Sequence, residues 1–91
     1  MHGEYKTPRG KLVVADFEVE DGCLTRVTVS GDFFLEPPEA LADMNAALDG
    51  APRDLPEEDI AALIRDALAP GVEMVGFSPE AVARAVLRGL A

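Results

Sequence analysis

KLVVADFEVEDGCLTRVTVS, residues 11–30, decides the fold. Two β-branched runs flank an Asp-Gly step, and in each the apolar residues alternate with polar ones, the period of a strand with one buried face. In the first run Val13, Ala15, Phe17 and Val19 share a face, with Asp16, Glu18 and Glu20 opposite; in the second Cys23, Thr25, Val27 and Val29 are in step. Asp21-Gly22 suits a two-residue hairpin turn. That register would set Phe17 against Arg26 and Asp16 against Val27, putting the apolar rows on opposite faces. A three-residue loop, Glu20-Asp21-Gly22, removes the conflict: Val19 faces Cys23, Phe17 faces Thr25, Ala15 faces Val27 and Val13 faces Val29. The expectation is an antiparallel hairpin with one apolar face, Cys23 included, for helices to cover.

Working outward, the second strand runs into SGDFFLEPPEAL, residues 30–41, where the chain changes character. Gly31 lets the chain leave the strand at angles other residues resist, and Asp32 is placed to accept backbone hydrogen bonds in the turn. Phe33 and Phe34 are adjacent, so in an extended segment they point to opposite sides: when one enters the core, the other faces solvent or a partner, unless both sides are buried. Pro37-Pro38 then opens a helix with Leu41, Met44 and Leu48 inward and Asp43 and Asn45 outward, stopped by Asp49-Gly50. A second helix is expected from Asp54, with Glu57 completing a capping box and Ile60, Leu63, Ile64 and Leu68 as its stripe. Residues 72–77 read as a short strand or an extended connector. Ser78-Pro79-Glu80 starts a last helix with Val82, Ala85, Val86 and Leu90 inward.

The fold class is therefore α+β: an N-terminal antiparallel β-hairpin sheet, with room for a third short strand, and about three helices packed on one face. The whole of residues 1–91 reads as a single domain, with residues 1–9 as a flexible lead-in.

Composition narrows the function. Asp and Glu number 17 against 8 Lys and Arg, a net charge of −9, which opposes nucleic acid and anionic membranes as partners. No apolar run approaches the ~20 residues of a membrane span, and the polar start lacks the apolar centre of a signal peptide, so a cytoplasmic protein is expected. One Cys and one His supply neither a disulfide nor a clustered metal-ligand set. A nucleophile–base pair would have to use His2, in the lead-in, and the expectation is that no catalytic residue is present. Cys23, beside Glu20 and Asp21, reads as a small buried hydrophobe rather than an activated thiol.

The candidate binding residues lie in two stretches. Lys6, Arg9 and Lys11, three of the eight basic residues, flank a turn with Pro8 and Gly10 and could meet a phosphate or an acidic surface. They read equally as a solubilising segment whose cations guard an edge strand. Gly31, Asp32, Phe33 and Phe34 form the second stretch.

Taken together, KTPRGKLVVADFEVEDG, TRVTVSGDFFLEPPEAL and MVGFSPEAVARAV resemble the accessory, C-terminal-type domain of lipoate-protein ligases, in the form found as a separate small chain. The resemblance runs from about Tyr5 to Leu90, and Lys6, Gly10 and Lys11 match the Lys-x-x-x-Gly-Lys motif. Arg9 departs from it, standing where the family often has a glycine. The resemblance implies a partner chain that binds ATP and lipoate, forms lipoyl-adenylate and transfers the lipoyl group to a lysine of a lipoyl-domain acceptor. The small chain docks on that catalytic chain, is needed for activation and binds no cofactor alone. From their chemistry, and not from the family pattern, Lys6, Arg9, Gly10 and Lys11 are expected to contact partner or nucleotide, as are Gly31, Asp32, Phe33 and Phe34. Two alternatives stay open: a sulfur-acceptor or iron–sulfur-scaffold-like protein, to which the family's small domain is similar in fold, and a stand-alone interaction module.

Overall fold

The computed structural model describes residues 1–8 and 10–91. Its elements run β1 (His2–Lys6), β2 (Leu12–Glu20), β3 (Cys23–Gly31), β4 (Phe34–Glu36), α1 (Ala40–Leu48), α2 (Glu57–Ala67), β5 (Glu73–Val75) and α3 (Pro79–Leu90). The architecture is α+β: a three-stranded antiparallel sheet in the order β1-β2-β3, a two-stranded β4-β5 ribbon and three helices. Val13, Ala15, Phe17, Leu24, Val27 and Val29 are buried on one sheet face, while Asp16, Glu18, Thr28 and Ser30 remain exposed on the other.

The hairpin reaches that one-faced arrangement by a different route from the expected loop. The turn is the two-residue one, Asp21 and Gly22, both at positive φ (53° and 77°), so that Glu20 pairs with Cys23 and Val19 with Leu24. The register then shifts between Asp16 and Glu18: an extra residue on β3, at Arg26 (φ 53°), forms a β-bulge, after which Asp16 pairs with Thr28 and Ala15 with Val29. The parity problem is real, but the additional residue sits in the strand and not in the loop. As a consequence Leu24 takes the core position near the turn, and Cys23, expected on the core face, is only half-buried.

The bulge also helps to close the outer edge of β3. The Arg26 N–H donates to Asp49 Oδ1 (3.0 Å), the Val29 N–H to Asn45 Oδ1 (2.9 Å) and the Leu24 N–H to the Ala51 carbonyl (2.8 Å). Asn45, expected to face outward, thus tethers α1 to the sheet. The opposite edge strand, β1, occupies the segment expected to be a flexible lead-in. Thr7 explains this: its N–H donates to the Lys11 carbonyl (2.8 Å) and its Oγ1 accepts from the Lys11 N–H (3.1 Å), turning the chain back along β2. The exposed His2 ring bridges Asp16 Oδ1 (2.5 Å) and Glu4 Oε2 (2.6 Å) on the open sheet face.

Helix starts follow local chemistry. Ser78 caps α3, its Oγ accepting from the Ala81 N–H (3.1 Å), with Pro79 in the first turn. The capping box at Asp54 does not form. Leu55 precedes Pro56 and is therefore kept out of the helical region, so α2 begins at Glu57 without a side-chain cap, its first turn still carrying Glu57, Glu58 and Asp59. Ile60, Ala61 and Ile64 make its buried stripe, and Leu63 stays exposed at the rim. Residues 73–75 are a strand, paired with β4 rather than added to the main sheet; the third strand of that sheet is β1.

α3 lies across β1 and β2 with almost nothing between the backbones. A Cβ on Gly3 would overlap the Ala85 carbonyl oxygen and the Gly89 backbone nitrogen, and one on Gly89 would come within 2.8 Å of the Phe17 ring. Gly3→Ala therefore forces strand and helix apart, and an overpacked contact of this kind costs about 1–3 kcal/mol. The measurement is the urea midpoint together with amide exchange in β1; an unchanged midpoint with protected β1 amides would contradict the close docking.

His2 supplies a pH dependence. Its hydrogen bonds to Glu4 and then to Asp16 favour the imidazolium and raise its pKa above the ordinary 6.5. Stability from this pairing is fully present below pH 6.5 and is lost as pH rises through the raised folded-state value. Wild type should therefore lose its advantage over His2→Gln in thermal melts across that window, and a ring titration by NMR with a midpoint at or below 6.5 would refute the pairing.

Candidate functional site: the groove between the β1–β2 turn and the β3–β4 corner

Two segments distant in sequence meet because β2 starts where β3 ends. The Asp32 N–H donates to the Leu12 carbonyl (2.9 Å), and a Cβ on Gly31 (φ 147°) would overlap that same oxygen. Glycine at 31 is thus what lets the corner close onto the beginning of β2. The result is an open groove of about 480 Å³ lined by Gly10, Lys11, Gly31, Asp32, Phe33 and Phe34. Six of the eight residues singled out from sequence come together here.

Lys6 lies at the end of β1, and a Cβ on Gly10 (φ 84°) would sit 3.9 Å from its Cε, so its side chain passes beside the turn. Arg9, the remaining candidate, lies outside the described residues. Lys11 extends along Gly76, a Cβ there falling 3.0 Å from the lysine Cγ. Neither Lys6 nor Lys11 has an ion-pair partner among the described residues, in a chain of net charge −9. Asp32 was expected to accept backbone hydrogen bonds. It contributes its N–H instead, and its carboxylate has no hydrogen bond among the described residues.

The two phenylalanines point to opposite sides, and only one of those sides is covered. Phe33 turns inward and stacks on Phe77, ring centroids 3.9 Å apart and planes at 22°. Phe34 turns outward and is 74% exposed. Phe77 directly precedes the Ser78 cap, so the stack ties the corner to the start of α3.

Behind this stack lies a second groove, about 450 Å³, whose lining includes Tyr5, Met74, Gly76, Phe77, Ser78 and Arg84. The Arg84 Nη1 donates to the Tyr5 hydroxyl (2.8 Å) and its Nε to Glu57 Oε1 (3.1 Å). Arg84 and Arg88 both stand over the Tyr5 ring, at 5.2 and 5.0 Å from its centroid, and Arg88 also donates to the Glu4 carbonyl (3.1 Å). Through these groups α3 is tied to β1 on one side and to α2 on the other.

The first groove brings together a cation, a carboxylate, the exposed Phe34 ring and backbone left bare by glycine. Cys23 is at the far end of β3, roughly 26 Å of strand from Gly31. Among the described residues no group of His, Cys, Asp and Glu is arranged to hold a metal ion, and no helix is long and apolar enough to cross a membrane. Sequence reasoning missed Phe77, Gly76, Tyr5 and Arg84. Gly76-Phe77 immediately before a helix cap was the available signal for the first two; nothing local marks Tyr5 or Arg84, whose pairing spans 79 positions.

No family model matches this chain, and no curated protein matches it. Among solved structures it is similar to a chain of an archaeal lipoylation system, a bi-partite lipoate protein ligase and its E2 lipoyl domain from Thermoplasma acidophilum, at TM-score 0.71 and 26% sequence identity. The likeness covers 94% of this chain and 97% of that one, so the two are nearly equal in length. It supports a lipoylation-related role for the fold.

The geometry separates the two aromatic residues experimentally. Phe33→Ala removes the stack on Phe77 and should lower stability by about 1–3 kcal/mol, the cost of truncating a half-buried ring. Phe34→Ala should stay within about 0.5 kcal/mol of wild type, as exposed positions do. Urea unfolding of both variants decides; equal losses would mean that the rings are not divided between core and solvent.

Proposed function

We propose that this chain is the non-catalytic accessory subunit of a two-chain lipoate-protein ligase, docking on the catalytic chain and enabling ATP-dependent activation of lipoate and lipoylation of acceptor proteins. The observation that carries the proposal is the likeness, over nearly the whole of both chains, to a chain of an archaeal lipoylation system with a bi-partite lipoate protein ligase. ATP and lipoate bind through the partner chain, and lipoyl-domain acceptors are met through it.

The groove suits a docking role. Lys6 and Lys11, unpaired among the described residues, are placed for an anion, either a carboxylate of the partner or a nucleotide phosphate. Arg9 belongs to the same proposed contact. Gly10 and Gly31 allow close backbone approach, Asp32 offers an unengaged acceptor and Phe34 an apolar face, with Phe33 holding the corner in place. A subunit with this inventory acts by positioning. Binding energy spent on docking stabilises the partner conformation in which the lipoate carboxylate and the nucleotide α-phosphate are set for reaction.

Reconstitution tests the proposal. The catalytic ligase chain of the same organism, with ATP, lipoate and an acceptor lipoyl domain, should lipoylate only when this protein is added, and Lys6→Ala/Lys11→Ala should require a higher concentration of it. Full lipoylation without it, and no complex between the chains, would overturn the reading.

A further inference from the structure

The outer face of the β4–β5 ribbon holds side chains that have no partners among the described residues. Phe34 and Val75 are cross-strand neighbours and are 74% and 51% exposed. Two pairs further on, Glu36 and Glu73 face each other and are exposed on the same side, while Leu35 and Met74 between them turn toward the core. Like charges directly opposite in a sheet are destabilising. Among the described residues neither glutamate has an ion-pair partner to relieve this. The ribbon therefore keeps two apolar side chains in water beside two carboxylates whose Cβ atoms are separated by only about 4.5–5.5 Å. A single cation set between those carboxylates would be held by both.

We propose that this face is the seat of the catalytic ligase chain, and that the occupying segment places an apolar side chain on Phe34 and Val75 and an Arg or Lys between Glu36 and Glu73. The inference rests on the accessory-subunit reading above and adds which face docks and what chemistry meets it. Charge complementarity selects the occupant. A second copy of this chain would bring two more carboxylates to the same spot, and a nucleic acid or anionic membrane would meet a chain of net charge −9. Phe34 also lines the groove that holds Lys11 and Asp32, so the seat runs from a cation beside a carboxylate, across an aromatic ring, to a pair of carboxylates. The partner's matching charges set its direction on this seat.

The test is calorimetric titration of this protein with the catalytic ligase chain, alongside thermal melts of the isolated protein. Glu36→Gln/Glu73→Gln removes the repulsion and keeps the shape. The isolated double variant should melt at the wild-type temperature or above it, yet bind the partner at least about tenfold more weakly. Phe34→Ala should weaken binding to a similar degree, while Glu58→Gln/Asp66→Gln on α2 should stay within about twofold of wild type. Raising salt should erode wild-type binding more than that of the Gln pair. If the chains bind and the ribbon variants bind like wild type, the seat is elsewhere and the accessory reading stands. A Gln pair that melts lower in isolation makes the glutamates structural and overturns the inference. Self-association abolished by Phe34→Ala assigns the face to a second copy and overturns it too. No binding by wild type overturns the seat together with the accessory reading.

Discussion

A sheet covered on one side only must keep its apolar rows in phase from strand to strand, and this parity is the constraint on which the rest of the molecule depends. An Asp-Gly two-residue turn by itself puts the rows of β2 and β3 out of phase. The bulge at Arg26 restores the phase, and its consequences spread: Leu24, Val27 and Val29 all reach the core, the freed Arg26 N–H is taken by Asp49, and α1 is drawn against the strand edge through Asn45. From Thr28 to Gly31 the strand is regular, which lets its far end arrive squarely at Leu12.

The groove is a by-product of the same ladder. Because Gly31 presses on the Leu12 carbonyl, the residue after it and the residue before β2 become neighbours, and Lys11 and Asp32 share a wall although they are twenty-one positions apart. The Phe33–Phe77 stack then fixes the corner against the start of α3, and the β4–β5 ribbon follows from where that corner leaves the chain. Site and scaffold are therefore joined through few contacts, chiefly one glycine and one aromatic pair.

What could be read from the residues alone was whatever short-range chemistry controls. Alternation over residues 11–30 gave the hairpin and its buried face, Ser78-Pro79 gave the start of α3, and the adjacency of Phe33 and Phe34 gave their division between core and solvent. The misreadings have physical causes. A bulge and a longer loop satisfy parity equally well, so alternation cannot choose between them, and Cys23 was misplaced with the register. The proline rule at Leu55-Pro56 outranked the Asp54 capping pattern. β1 was taken for a loose lead-in because its stability comes from outside it, from Thr7 turning the chain and from Gly3 meeting α3. Six candidate site residues were legible as two motifs; that they share one groove was not, because the pairing of β2 with β3 creates the proximity.

The closed outer edge of β3 has a consequence for assembly. Indefinite stacking of sheets needs a donor edge and a different acceptor edge on every copy, and here one is already occupied by Asn45, Asp49 and Ala51. β1 presents the other rim, set with His2, Glu4 and Lys6, and its Glu4 carbonyl is taken by Arg88. Strand-to-strand growth through this sheet can therefore join two copies by their β1 rims and then has nowhere to continue. In the three-stranded sheet a mistaken edge contact therefore terminates as a closed pair instead of propagating as a fibre.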